Sequence, residues 1–147
     1  MKRSKRLTPI VDLAVKATEA ALIKVGEANA LWIRDTNQLE ELYRYQGEYL
    51  ARLRSGDVLS MSAQKVLELR GFLAQLDQAI LAQQQQVKIS LEVLQQQQEQ
   101  WKKVRSKEQA MQSLVSRYHH EEVRIEIKKE QDDNDERNTS QWLRKPK

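Results

Sequence analysis

Cysteine is absent, and the 147 residues include only two Pro, four Gly, three Trp, four Tyr and one Phe. Without thiols there can be no disulfide and no thiolate metal site, and nothing asks for an oxidising compartment, so the cytoplasm is the expected location. Scarce Gly and Pro, with 31% charged residues, argue against a compact enzyme domain, whose turns and site loops draw on both. Long apolar runs are missing too. No stretch approaches the roughly 18 apolar residues of a membrane span, and Lys2, Arg3, Lys5 and Arg6 are not followed by the apolar core of a signal peptide. A soluble chain is expected.

Charge is plentiful but mixed. Twenty-five Lys and Arg against 21 Asp and Glu leave a net charge of +4 and a pI near 9.3, which permits an acidic partner. The two signs are interspersed, so no dense basic face marks a nucleic-acid binder. Catalysis has little support. Gly26, Gly47, Gly56 and Gly71 are scattered singly and form no phosphate loop. His119 and His120 are neighbours, so on a helix they point about 100° apart and cannot share a metal or a relay. No enzyme activity, catalytic residue, metal or cofactor is expected.

What remains is helix. Thr8 and Pro9 suit an N-cap and first helical position, and no further Pro occurs before Pro146, which predicts helix one over residues 8–54. Ser55, Gly56, Asp57, Ser60 and Ser62 supply turn chemistry over 55–62. Helix two is expected over 63–130. The poor helix formers Asp132, Asp133, Asn134, Asp135, Asn138, Thr139 and Ser140 predict a disordered tail over 132–147, with Trp142 and Leu143 as a small docking motif or simply tail. The fold class expected is all-α, an antiparallel coiled-coil hairpin spanning residues 1–131.

Steps of four and three residues from Val11 pick out Val15, Thr18, Leu22, Val25, Asn29, Trp32, Thr36, Leu39, Tyr43, Gln46, Leu50 and Leu53. The same stepping from Val66 runs through Leu69, Leu76, Ile80, Leu94, Trp101, Val115 and Tyr118 to Ile125. A sustained 3.5-residue period implies a left-handed supercoil. Folding at Gly56 sets Leu53 against Val66 and Trp32 against Val87, with polar layers of Thr36 facing Gln83 and Asn29 facing Ser90. Helices of roughly 45 to 65 residues would run on the order of 70 to 100 Å, too thin to enclose a pocket. Helix two outruns helix one, leaving Val115, Tyr118 and Ile125 for a partner.

Two surfaces stand out. Tyr45 and Tyr49 share a helical stripe with Leu42 and Gln38, and Phe72, Leu76 and Ala79 form a comparable one at the same level, so apolar surface gathers near the tip. It is either a wider core or a docking patch. At the other end Lys16, Lys24, Lys103, Arg105, Lys107 and Arg117 could steer the hairpin toward an acidic partner.

Leu42, Tyr45, Gln46, Glu48 and Tyr49, then Phe72, Leu73, Leu76, Ala79 and Ile80, then Trp101, Gln109, Ala110, Gln112, Leu114 and Arg117 together resemble the FliJ family of flagellar type III export proteins. Gly26-Glu27 and the closing Arg144-Lys145-Pro146 fit as well. The resemblance implies a hairpin similar to the central stalk of rotary ATPases that docks into the hexameric export ATPase, contacts the cytoplasmic domain of the export-gate membrane protein and escorts unloaded export chaperones. It implies Gln38, Leu42, Tyr45, Tyr49, Phe72, Leu76 and Ala79 as the gate-binding face, with Gln83 where the family face suggests a histidine. Membrane association would come only through partners at the inner-membrane export apparatus. The related stalk of an injectisome, a basic nucleic-acid binder and a self-associating scaffold are the alternatives; a monomer would exclude the last.

Overall fold

Strong helix formers with few breakers produce two helices. The computed structural model describes residues 2–55 and 62–144, in which α1 is Arg3–Arg54 and α2 is Ala63–Arg144. The two pack against each other as an all-α helical hairpin. The turn expected at Gly56, and Lys145 and Pro146, lie outside the described residues. The paired helices divide into two units: Met1–Glu19 with Lys102–Lys147, and Ala20–Trp101.

Both outer ends run further than the sequence suggests. α1 begins at Arg3 and carries Pro9 inside. Thr8 is not its cap, since its hydroxyl donates back to the Ser4 carbonyl at 3.2 Å, the i to i−4 bond of a residue within a helix. The cap comes from α2 instead. Glu122 accepts the Ser4 amide at 3.1 Å and the Ser4 hydroxyl at 2.6 Å, placing a carboxylate where the first turn has unpaired amides and a positive dipole end. The Ser4 hydroxyl first, then its amide and the charge of Lys2, hold the Glu122 carboxyl below its ordinary range against the opposing pull of burial.

α2 continues to Arg144, through the stretch expected to lose order at Asp132. Its Ser, Thr, Asn and Asp cost only tenths of a kcal/mol each against Ala. Thr139 donates to the Asp135 carbonyl at 2.8 Å, so its hydroxyl bonds within the helix rather than away from it.

α2 buries or half-buries the residues its period predicts, from Val66 through Ile80, Ser90 and Leu94 to Glu122. Ile125, the last expected seam position, is 67% exposed, and every described side chain from Val123 through Leu143 faces solvent. α1 corrects the reading at Leu22, Asn29 and Tyr43, while Val15, Thr36 and Leu50 are half-buried as expected. Val11, Thr18, Val25, Trp32, Leu39, Gln46 and Leu53 face α2, but between them stand Ala14, Ala21, Ala28, Asp35, Leu42 and Tyr49. Leu22, which was expected inward, is 54% exposed and Tyr43 43%, and Asn29 is exposed too, whereas Ala21 and Ala28 are 7% and 5% exposed. Close packing explains the choice: with Trp32 filling the seam, small neighbours let the backbones approach. Tyr49 packs its ring on Phe72, as expected of two stripes at the same level.

Candidate functional site

The aromatic patch is built within Ala20–Trp101. The Tyr49 and Phe72 rings meet across the helices with centroids 4.7 Å apart and planes tilted by 58°, a tilted contact that avoids the unfavourable face-to-face sandwich. Tyr45 stands one turn before Tyr49, and its 43% exposure matches the 42% of Phe72. The guanidinium of Arg44 lies 5.6 Å from the Tyr45 ring and that of Arg52 lies 5.2 Å from Tyr49, so cations cover part of the patch. Leu76 is buried and Leu42 half-buried; these two form its floor. Gln38 and Ala79 are exposed, and Gln38 accepts from the Gln83 amide at 3.4 Å. Of the seven expected residues, Tyr49 and Phe72 touch, Leu42 and Leu76 are covered, and Tyr45, Gln38 and Ala79 are exposed.

Sequence reading missed what lies beside it. Asp35 is 1% exposed. Its carboxylate accepts from Arg34 at 3.2 Å and from the Gln86 amide at 3.4 Å, and its backbone carbonyl accepts from the Gln83 amide at 2.8 Å. Burial, the largest single influence, pushes its pKa up, but hydrogen bonds from Ser90, Arg34 and Gln86 together with the Arg34 charge outweigh it and hold the group below its ordinary value. Gln83 thus serves Asp35 and Gln38 at once, linking the buried polar layer to the edge of the patch. The signal was available: position 35 keeps three-four step with Ala28, Leu39 and Leu42. The expected polar layer names Thr36 in its place, whose hydroxyl is buried with no hydrogen-bond partner.

The six basic positions do not form one face. Lys103, Arg105 and Lys107 are two apart, so successive side chains turn by about 200° and point to alternate sides of α2. Lys16, Lys103, Arg105, Lys107 and Arg117 belong to the unit of Met1–Glu19 and Lys102–Lys147, while Lys24 belongs to Ala20–Trp101. All six are exposed. His119 and His120 hold their rings 6.4 Å apart, and no cluster of three potential metal ligands occurs among the described residues.

The sequence profile described as "Flagellar FliJ protein" matches residues 3–147. The chain belongs to the FliJ family. No curated protein and no solved structure matches it. Membership makes it a non-catalytic component of flagellar type III export. Among the described residues no helix is long and apolar enough to cross a membrane. The positions that carry the FliJ resemblance split by burial. Leu42, Tyr49, Leu73, Leu76, Ile80 and Trp101 pack in the seam, while Tyr45, Phe72, Gln109, Ala110, Gln112 and Arg117 are exposed. The second group needs a reason other than core packing.

Proposed function

We propose that this FliJ-family chain works as an adaptor of the export apparatus, docking the cytoplasmic domain of the export-gate membrane protein on Tyr45, Tyr49 and Phe72, with Gln38 and Ala79 at the edge and Leu42 and Leu76 supporting from below. One observation carries the reading: an aromatic cluster contributed by both helices leaves large rings over 40% exposed, which a wider core would have covered. The same chain inserts into the export ATPase hexamer as a stalk through its basic residues, escorts unloaded chaperones, and acts as a monomer on the cytoplasmic side of the inner membrane, held there by its partners.

Replacing Tyr45 and Tyr49 together by Ala tests the assignment. Gate-domain pull-down is expected to vanish while circular dichroism shows the helix content nearly unchanged. Loss of helicity in that variant would reassign the aromatics to the core, and retained gate binding would remove them from the interface.

A further inference from the structure

The unit of Met1–Glu19 and Lys102–Lys147 holds a groove of about 410 Å³ lined by Arg3, Arg6, Leu7, Ile10, Leu114 and Tyr118. Its floor is apolar. Leu7, Leu114 and Tyr118 are half-buried, and Ile10 is 47% exposed. Leu13, three residues beyond Ile10 on the same stripe, is 67% exposed. One wall is cationic, with the Arg3 guanidinium 5.5 Å from the Tyr118 ring and Arg6 one turn further along.

Helical spacing extends that charge. Counting from Leu114, Lys103 and Lys107 lie eleven and seven residues before it and Arg117 and Arg124 three and ten after it, intervals that keep to the groove side of a supercoiled helix. Glu121 is the acidic residue on this stripe; the α1 stripe of Arg3, Arg6, Ile10, Leu13 and Ala17 has none. Nearby carboxylates are already engaged, Glu122 by Ser4 and Glu126 by Lys2 at 2.9 Å. Lateral basic rows over an apolar floor are the complement of one object: an amphipathic helix with acidic residues flanking its apolar stripe.

We infer that this groove docks an acidic amphipathic helix of a partner protein, laid lengthwise between α1 and α2 so that its apolar residues meet Leu7, Ile10 and Leu114 while its carboxylates reach Arg3, Arg6 and Arg117. From Arg3 to Leu13 the groove offers about 15 Å of α1, enough for two to three turns of the incoming helix. Nucleic acid would satisfy the cations, but phosphates gain nothing from an aliphatic floor. The inference rests on the reading of Lys103, Lys107 and Arg117 as partner-facing, and it names the chemistry that they meet.

The probe is a fluorescent peptide about three heptads long, with Leu and Ile on one face and Glu beside them, titrated by anisotropy into the full chain. A second peptide carries Lys at every Glu position. Binding of the Glu peptide alone is expected, with affinity falling as salt rises and dropping roughly tenfold or more in an Arg3→Glu, Arg6→Glu variant. Chemical-shift changes should centre on the Ile10 methyls and the Tyr118 ring, a readout that does not depend on any variant folding. Equal binding of both peptides, shifts confined to Ala20–Trp101, no binding at low salt, or preference for an oligonucleotide of equal charge would each overturn the proposal. Pull-down of the export ATPase by the same variant separates this proposal from the stalk reading. Peptide binding lost with ATPase binding retained supports the groove and removes its cations from the ATPase interface. ATPase binding lost in a chain that never took the peptide does the reverse.

Discussion

The two helices meet along one interface, yet they line it with different side chains. In α2 the seam is lined by large aliphatic side chains, with Ile80 and Leu94 5% and 6% exposed, although Leu67, Leu81, Ile125 and Ile127 are each 50% exposed or more. In α1 the seam is held at Ala21, Ala28 and Asp35, while Ile10, Leu13, Leu22, Ile23, Leu31 and Ile33 are each 45% exposed or more. On both helices apolar residues exceed what the partner covers and leave surface for other molecules: α1 contributes Tyr45 and Tyr49 to the aromatic patch and Ile10 to the basic groove, and α2 contributes Phe72 to the first and Leu114 and Tyr118 to the second.

The sharpest test of that contrast compares two leucines. Leu94→Ala is expected to cost about 3 kcal/mol, as large-to-small changes in a closed seam do, whereas Leu22→Ala should cost under ~1 kcal/mol because most of its side chain already meets water. Equal losses in urea titrations would mean that Leu22, not Ala21, faces α2.

Asp35 comes next. Its folded pKa lies below the unfolded 3.8, so the unfolded chain binds its proton first as pH falls. The stabilisation is full above that value and is lost progressively below it, as the buried carboxylate protonates in turn. Asp35→Asn should therefore be less stable than wild type at neutral pH, by about 1–3 kcal/mol, with the gap closing in acid below roughly pH 4. A gap that stays constant with pH would show that the carboxylate charge contributes nothing. The smallest effect is expected at Ile125→Ala, within about 0.5 kcal/mol of wild type, because the seam has ended at Glu122; a larger loss would extend the pairing.

Much was legible in α2 because its 3.5-residue stepping stays on buried or half-buried positions from Val66 to Glu122, even though Leu67, Leu81 and Ile89 lie outside it. α1 carries two interleaved candidates one residue apart, Val15-Leu22-Tyr43-Leu50 and Ala14-Ala21-Asp35-Leu42-Tyr49, and ranking side chains by size favours the wrong one at Leu22 and Tyr43. In the patch, Tyr45, Tyr49 and Phe72 could be read from spacing, but the division into exposed rings and buried floor could not, since it depends on which row of α1 turns inward. The groove is not legible either: Arg3 and Ile10 lie more than a hundred residues from Leu114 in sequence and meet it only by pairing.

Composition and periodicity by themselves determine that this chain is helical, lacks thiol chemistry, and carries seams of 3.5-residue period, because each is a property of a single helix's residues. The tertiary structure alone decides which face of α1 turns inward, that Asp35 is enclosed, and that a carboxylate from α2 caps α1. Those outcomes depend on how two surfaces interlock, where a small side chain that admits its neighbour can outweigh a larger one that would bury more area alone.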